Sequence, residues 1–207
     1  MATQEIFNAV LEFDAEKVRK LTQAEIDAGT DVGLILNEGL IGAMDTVGEK
    51  FSAGDLFVPE MLMAAQAIKA GQEILKPLLS SGQAQAKGTV VIGTVKGDLH
   101  DIGKNLVAMM LEGAGFEVVD LGVDVASERF VQSAAEKKAN VIALSALLTT
   151  TMPAMQTTVT AVKEAGLSSR TIIGGAPVTQ GFAEQIGADG YSPDAPGAVR
   201  LVKSLVA

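Results

Sequence analysis

The segment GTVKGDLHDIGKNLV, Gly93 to Val107, holds the chain's single histidine, His100, between Asp98 and Asp101 in a loop bounded by Gly97 and Gly103. An imidazole can move a proton or ligate a metal, and a carboxylate two residues away can hold one ring nitrogen and fix the tautomer of the other. A phosphate-binding loop would need Gly, four residues, then Gly-Lys-Ser/Thr. Here Asn105 follows Lys104 and the glycine spacing is wrong. The GxGxxG dinucleotide fingerprint is absent from the same turn. With one His and no Cys, a zinc or iron site of several nitrogen and sulfur ligands is excluded. A magnesium site on Asp98 and Asp101 is conceivable but gives His100 no role, and a surface or helix-capping histidine is the plain alternative. One imidazole does suffice for a metal whose other ligands belong to a macrocycle.

The elements around this loop have two rhythms. From Gln4 to about Leu79 the pattern is helical. Asp14 and Asp31 stand where N-caps are expected, and Gly29 where a helix ends. Leu40, Met44, Val47 and Phe51 recur on one helical face. After the turn SAGD, Val58, Met61, Leu62, Ala65, Ile68 and Leu75 share one side of a further helix that Pro59 helps to start. These segments predict an antiparallel bundle of about four helices.

SSGQAQAK, residues 80–87, reads as a linker. Beyond it TVVIGTV, EVVDLG, NVIALSAL and TIIGG are short and apolar, as strands buried on both faces should be. Helical stretches separate them, and a last strand near Tyr191 and a helix from Ala195 complete five βα units. The expected fold is α/β, a doubly wound five-stranded parallel sheet preceded by a helical bundle. The division is 1–79, 80–87 and 88–207. Ligands of such sheets bind beyond the carboxyl ends of the strands, which singles out KGDLHDIGKN, SALLTTTMP and GGAPVT.

The 207 residues are 48% hydrophobic and 20% charged, with a formal net charge of −9. No basic stripe exists to displace counterions from nucleic acid or to meet an anionic membrane. No apolar run approaches the roughly 18 to 20 residues that span a bilayer. MATQEIFNAV lacks the pattern of a secretory signal, so the expected location is the cytoplasm.

Asp98-x-His100-x-x-Gly103, then Ser145-x-Leu147, then Gly174-Gly175 resembles the three-part motif of the cobalamin-binding domain. Cobalamin-dependent methionine synthase, certain mutases and the corrinoid proteins of methyltransferase systems share that domain. Glu38-Gly39, the stretch through Val47-Gly48 to Phe51, and FVPEMLMAAQAIKAG from Phe57 to Gly71 resemble the helical cap of the methyl-transferring members. The resemblance therefore spans nearly the whole chain: a cap, a linker and a flavodoxin-like domain.

The resemblance implies a cofactor, cobalamin (methylcobalamin, cob(I)alamin or a related corrinoid), bound base-off with His100 as the axial ligand of cobalt. Asp98 would hydrogen-bond the far nitrogen of His100, with Asp101, Ile102 and Gly103 in the same motif. Ser145 and Thr149 would bond the displaced nucleotide tail, Leu147 would pack along it, and Gly174 and Gly175 would leave room for it. Tyr191 and Ala195 would approach it from the last loop. Phe51, Val58, Met61 and Leu62 resemble the apolar lid over the methyl group. The implied function is a methyl carrier that accepts a methyl group on Co(I) from a donor and passes it to an acceptor such as tetrahydrofolate or coenzyme M. Its implied partners are a substrate-specific methyltransferase, an acceptor methyltransferase and a reductive activator, with residues 80–87 as the hinge. It would be a carrier subunit rather than a complete enzyme. The alternatives are the small subunit of an adenosylcobalamin mutase, which needs no methyl lid, and a cobalamin sensor, which needs an output module. A flavodoxin-like response module would leave the Ser-x-Leu and Gly-Gly spacing unexplained.

Overall fold

The computed structural model of the protein describes residues 2–79 and 86–206. They divide into two compact units, Met1–Ala86 with Glu112–Gly115, and Lys87–Leu111 with Phe116–Ala207. Residues 80–85 of the expected linker and hinge lie outside the described residues.

The first unit is helical. α1 (Ala2–Leu11) leads to α2 (Ala15–Asp27), whose N-cap Asp14 accepts the Lys17 N–H at 2.9 Å. Asp31 caps α3 (Val32–Leu34) in the same way, through the Leu34 N–H at 3.0 Å. The chain runs on without a break through a π-helical turn, Ile35–Ile41, into α4 (Gly42–Ala53). Leu40, Met44 and Val47 are buried as their spacing predicts, and Phe51 is half-buried. In α5 (Val58–Leu79) Met61, Ala65, Ile68 and Leu75 line the packed face. Val58 does not join them: it is the helix's first residue, beside the exposed Phe57, and keeps much of its surface. The Phe57 N–H donates to Glu60 Oε2 at 2.7 Å, the glutamate half of a capping box at the start of α5.

The second unit alternates strands and helices: β1 (Thr89–Thr94), α6 (Ile102–Gly113), β2 (Glu117–Asp120), α7 (Ser127–Lys137), β3 (Val141–Ser145), α8 (Met152–Glu164), β4 (Arg170–Gly174), α9 (Gln180–Ile186), β5 (Gly190–Tyr191) and α10 (Ala195–Val206). All strands are parallel, in the order β2-β1-β3-β4-β5. Helices cover the sheet, and Phe130, Ile142 and Met155 are among its fully buried side chains. β2 departs from the expected two-sided burial. At the sheet edge, Glu117 and Asp120 are exposed and only Val118 and Val119 are half-buried. Strand order reverses between β1 and β3, so the carboxyl ends of these two strands flank the crevice where ligands of such sheets bind.

Candidate functional site

Register brings the three sequence motifs into line. Thr94 of β1 pairs with Ser145 of β3, and Ser145 with Gly174 of β4. The loops that follow these residues therefore leave the sheet side by side, at its carboxyl edge.

The β1–α6 loop is held from several sides. Gly97 has φ +84, the left-handed conformation that lets the chain turn directly after the strand. Its N–H donates to Asp124 Oδ1 at 2.8 Å, Lys96 pairs with the same carboxylate, and the Asp124 N–H donates to the Asp98 carbonyl at 2.9 Å. The Gly97 and Lys96 bonds hold the Asp124 carboxyl below its usual range. Asp124 itself has φ 54, a conformation that non-glycine residues hold only where the surroundings enforce it. The Thr94 hydroxyl donates to the His100 carbonyl at 2.9 Å.

Asp98 is fully buried at the centre of this loop. Its Oδ1 faces Nδ1 of His100 at 2.7 Å and accepts the His100 N–H at 3.1 Å. Its Oδ2 accepts from the Leu147 N–H at 2.7 Å, the Leu148 N–H at 3.3 Å and the Thr151 hydroxyl at 2.7 Å. Burial pushes the carboxyl up, but the bonds from Thr151, Leu147 and His100 outweigh it and hold Asp98 well below the usual carboxylate range. An ionised oxygen cannot donate, so the hydrogen between it and the ring belongs to Nδ1. The lone pair of the neutral imidazole is then on Nε2. The imidazole is 52% exposed, so this nitrogen belongs to an accessible ring.

The two loops that meet at Asp98 also carry exposed apolar side chains. Leu99 is 71% exposed, Ile102 84%, Leu147 43% and Leu148 42%. Leu99 and Ile102 flank His100 in sequence, and Leu147 and Leu148 are tied to it through Asp98. Exposed apolar side chains on the loops that carry a poised nitrogen favour a surface that a ligand covers. A Cβ added at Gly103, in the first turn of α6, would meet nothing within 4 Å, so that side of the turn is open. A single accessible imidazole nitrogen with a fixed tautomer is a donor set that fits a metal whose other ligands come from a macrocycle.

The remaining sequence-predicted residues have the following places. Asp101 is half-buried and bonded to the Asn105 amide, its oxygen already engaged. The Ser145 carbonyl accepts the Val95 N–H, and Thr149 is exposed in the following loop. Gly174 and Gly175 have reasons within the chain itself. An added Cβ would come within 3.1 Å of the Ser192 carbonyl at Gly174, and within 1.9 Å of the Ala146 carbonyl at Gly175, whose φ is +132. Tyr191 is half-buried, on the strand next to Ile173, and Ala195 is buried at the start of α10. In the first unit Met61 is fully buried, Phe51 and Leu62 are half-buried and Val58 is exposed. Sequence reasoning missed Thr151, Leu99, Leu148 and Asp124. Leu99, Leu148 and Thr151 lie in loops that the strand-end argument singles out, but nothing local in the sequence assigns them a role; Asp124 leaves no signal.

Among the described residues no group of three or more His, Asp or Glu side chains could hold a metal ion, and no helix is long and apolar enough to cross a membrane. The B12 binding domain family matches residues 88–200, and a second B12 binding domain family matches residues 2–76. The chain is 45% identical over 203 residues to trimethylamine corrinoid protein 2 of Methanosarcina acetivorans, covering 96% of this chain and 94% of that one. It is 48% identical over 180 residues to dimethylamine corrinoid protein 1 of the same organism, covering 86% and 84%. Among solved structures, the methanol:cobalamin methyltransferase complex of Methanosarcina barkeri superposes with a TM-score of 0.88 at 32% identity, over 99% of this chain and 79% of that one.

Proposed function

The chain belongs to the B12-binding family of corrinoid proteins, and on that premise we propose that it carries methyl groups in a methyltransferase system. The observation that carries the reading is His100: its Nδ1 faces a buried carboxylate, and its exposed ring lies on a loop with exposed apolar neighbours in sequence, Leu99 and Ile102. When bound, the corrinoid supplies a cobalt centre that takes a methyl group from an activated donor and releases it to an acceptor.

The protein's own part is to bind, orient and shield. His100 Nε2 would be the protein's ligand to cobalt, in the base-off, His-on state. Asp98 would keep the lone pair on Nε2 and strengthen it as a donor. Leu99, Ile102, Leu147 and Leu148 would supply apolar contacts to the macrocycle, and the loops after Ser145, Gly174 and Tyr191 would hold the nucleotide tail. In this reading residues 1–79 are the cap and 88–207 the cobalamin-binding domain.

The methyl donor we favour is a methylated amine. The corrinoid proteins of trimethylamine and dimethylamine systems are 45% and 48% identical to this chain, against 32% for the methanol complex. A donor-specific methyltransferase is the first partner, as in that complex. A second methyltransferase serving the acceptor and a reductive activator complete the system, in the cytoplasm.

Wild type reconstituted with methylcobalamin and freed of excess should retain about one equivalent, with the absorption spectrum of a nitrogen-ligated cobalt. His100→Ala should give a base-off spectrum and roughly tenfold or weaker retention. A wild type that holds no corrinoid overturns the proposal.

A further inference from the structure

Lys104 lies four residues after His100 and is buried, with its side chain only 1% exposed. A lysine is rarely placed there, because taking an ammonium out of water is costly unless its hydrogens are satisfied. Its Nζ pairs with Asp120 at the end of β2 and donates to the Asn105 side-chain oxygen at 2.7 Å. The Asn105 amide in turn donates to Asp101 Oδ2 at 3.0 Å, and Asp101 is covalently joined to His100. On the other side, Asp120 Oδ1 accepts the Gly122 N–H at 2.8 Å, and the Gly122 carbonyl accepts the Thr94 N–H at 2.9 Å. The Thr94 hydroxyl then returns to the His100 carbonyl. The bonds close a circuit that starts and ends at His100, and Lys104 is its one buried charge.

We infer that Lys104 is a positioning residue for His100: by tying the first turn of α6 to the end of β2, it sets the imidazole before a corrinoid arrives. Asp98 holds the ring, whereas the circuit holds the backbone that carries the ring. A methionine of similar length could fill the space of Lys104 but could tie neither Asp120 nor Asn105. The relevance to cofactor binding rests on the function proposed above; the effect on the imidazole does not.

Because His100 is the only histidine, its ring gives the only imidazole signals in a histidine-selective 15N NMR spectrum of the cofactor-free protein. Wild type should show one set with Nδ1 protonated. Lys104→Met and Asn105→Ala should each replace that set with split or tautomer-averaged signals, and cobalamin affinity should fall roughly tenfold. Asp120→Asn should lower the melting temperature more than Lys104→Met, because it leaves a buried ammonium without its partner. Val162→Ala, a core truncation at the far end of α8, controls for lost stability and should leave the His100 signals unchanged.

Unchanged imidazole signals in folded Lys104→Met overturn the inference. If that variant does not fold, unchanged signals in Asn105→Ala overturn it instead. Should wild type bind no cobalamin while both variants still disturb the ring, the carrier function falls and the positioning role stands.

Discussion

Asp98→Asn should destabilise the cofactor-free protein by about 3 kcal/mol at neutral pH and abolish the single tautomer of His100. The carboxylate is fully buried and accepts from three backbone N–H groups, a hydroxyl and an imidazole. An asparagine offers one accepting oxygen. Its NH2 must point either at the imidazole or at the Leu147 and Thr151 donors, and both choices leave buried donors facing each other. The folded carboxyl is held below its unfolded value. The stability contributed by its ionised form is therefore fully present above about pH 4 and is lost as pH falls toward the folded value. Urea titrations of both proteins at pH 7 and near pH 3 should show a wide stability gap that narrows in acid. A gap of the same size at both values would mean that charge is not what Asp98 contributes. In the loaded protein, the same substitution should raise the base-off fraction even though His100 is intact.

Which parts of this site a reader of the sequence could find follows from distance along the chain. Asp98 and His100 are two residues apart, so their spacing already exposes the pairing that the fold realises at 2.7 Å. The strands are legible because central parallel strands are buried on both faces and must be apolar throughout. β2 reads the same way but lies at the sheet edge; strand order is a tertiary fact that Val118 and Val119 do not carry. Thr151 and Leu148 stay hidden because only the pairing of β1 with β3 brings their loop beneath Asp98. Val58 stays exposed for a smaller reason, though it shares the helical face of Met61 and Leu62. Helical periodicity assigns a face but not an end, and the first residue of a helix has no preceding turn to pack beside. The motif also leaves one cause unstated. Gly174-Gly175 suggests room for a ligand, whereas an added Cβ at Gly175 would meet the chain's own backbone at Ala146.

That last distinction gives an equally large effect. Gly175→Ala should destabilise the cofactor-free protein by at least about 4 kcal/mol or prevent folding, since the new Cβ would lie 1.9 Å from the Ala146 carbonyl oxygen. Relief cannot come from rotating a side chain, because the obstacle is backbone and φ of +132 is itself strained for an alanine. Moving Ala146 would also move Leu147, whose N–H is one of the donors to Asp98, so damage at β4 should reach the histidine loop. Gly103→Ala is the opposite case. No protein atom opposes its Cβ and it lies in the first turn of α6, so the cofactor-free protein should gain roughly 0.5 kcal/mol. If the corrinoid lies over the start of α6, three residues after His100, cobalamin retention should nevertheless fall, because the methyl group enters open space there. Melting curves without cofactor, followed by cobalamin titration of the folded variants, separate the two roles. A Gly175→Ala protein as stable as wild type would return that glycine to serving the ligand alone. A Gly103→Ala protein that binds cobalamin normally would move the corrin away from the start of α6.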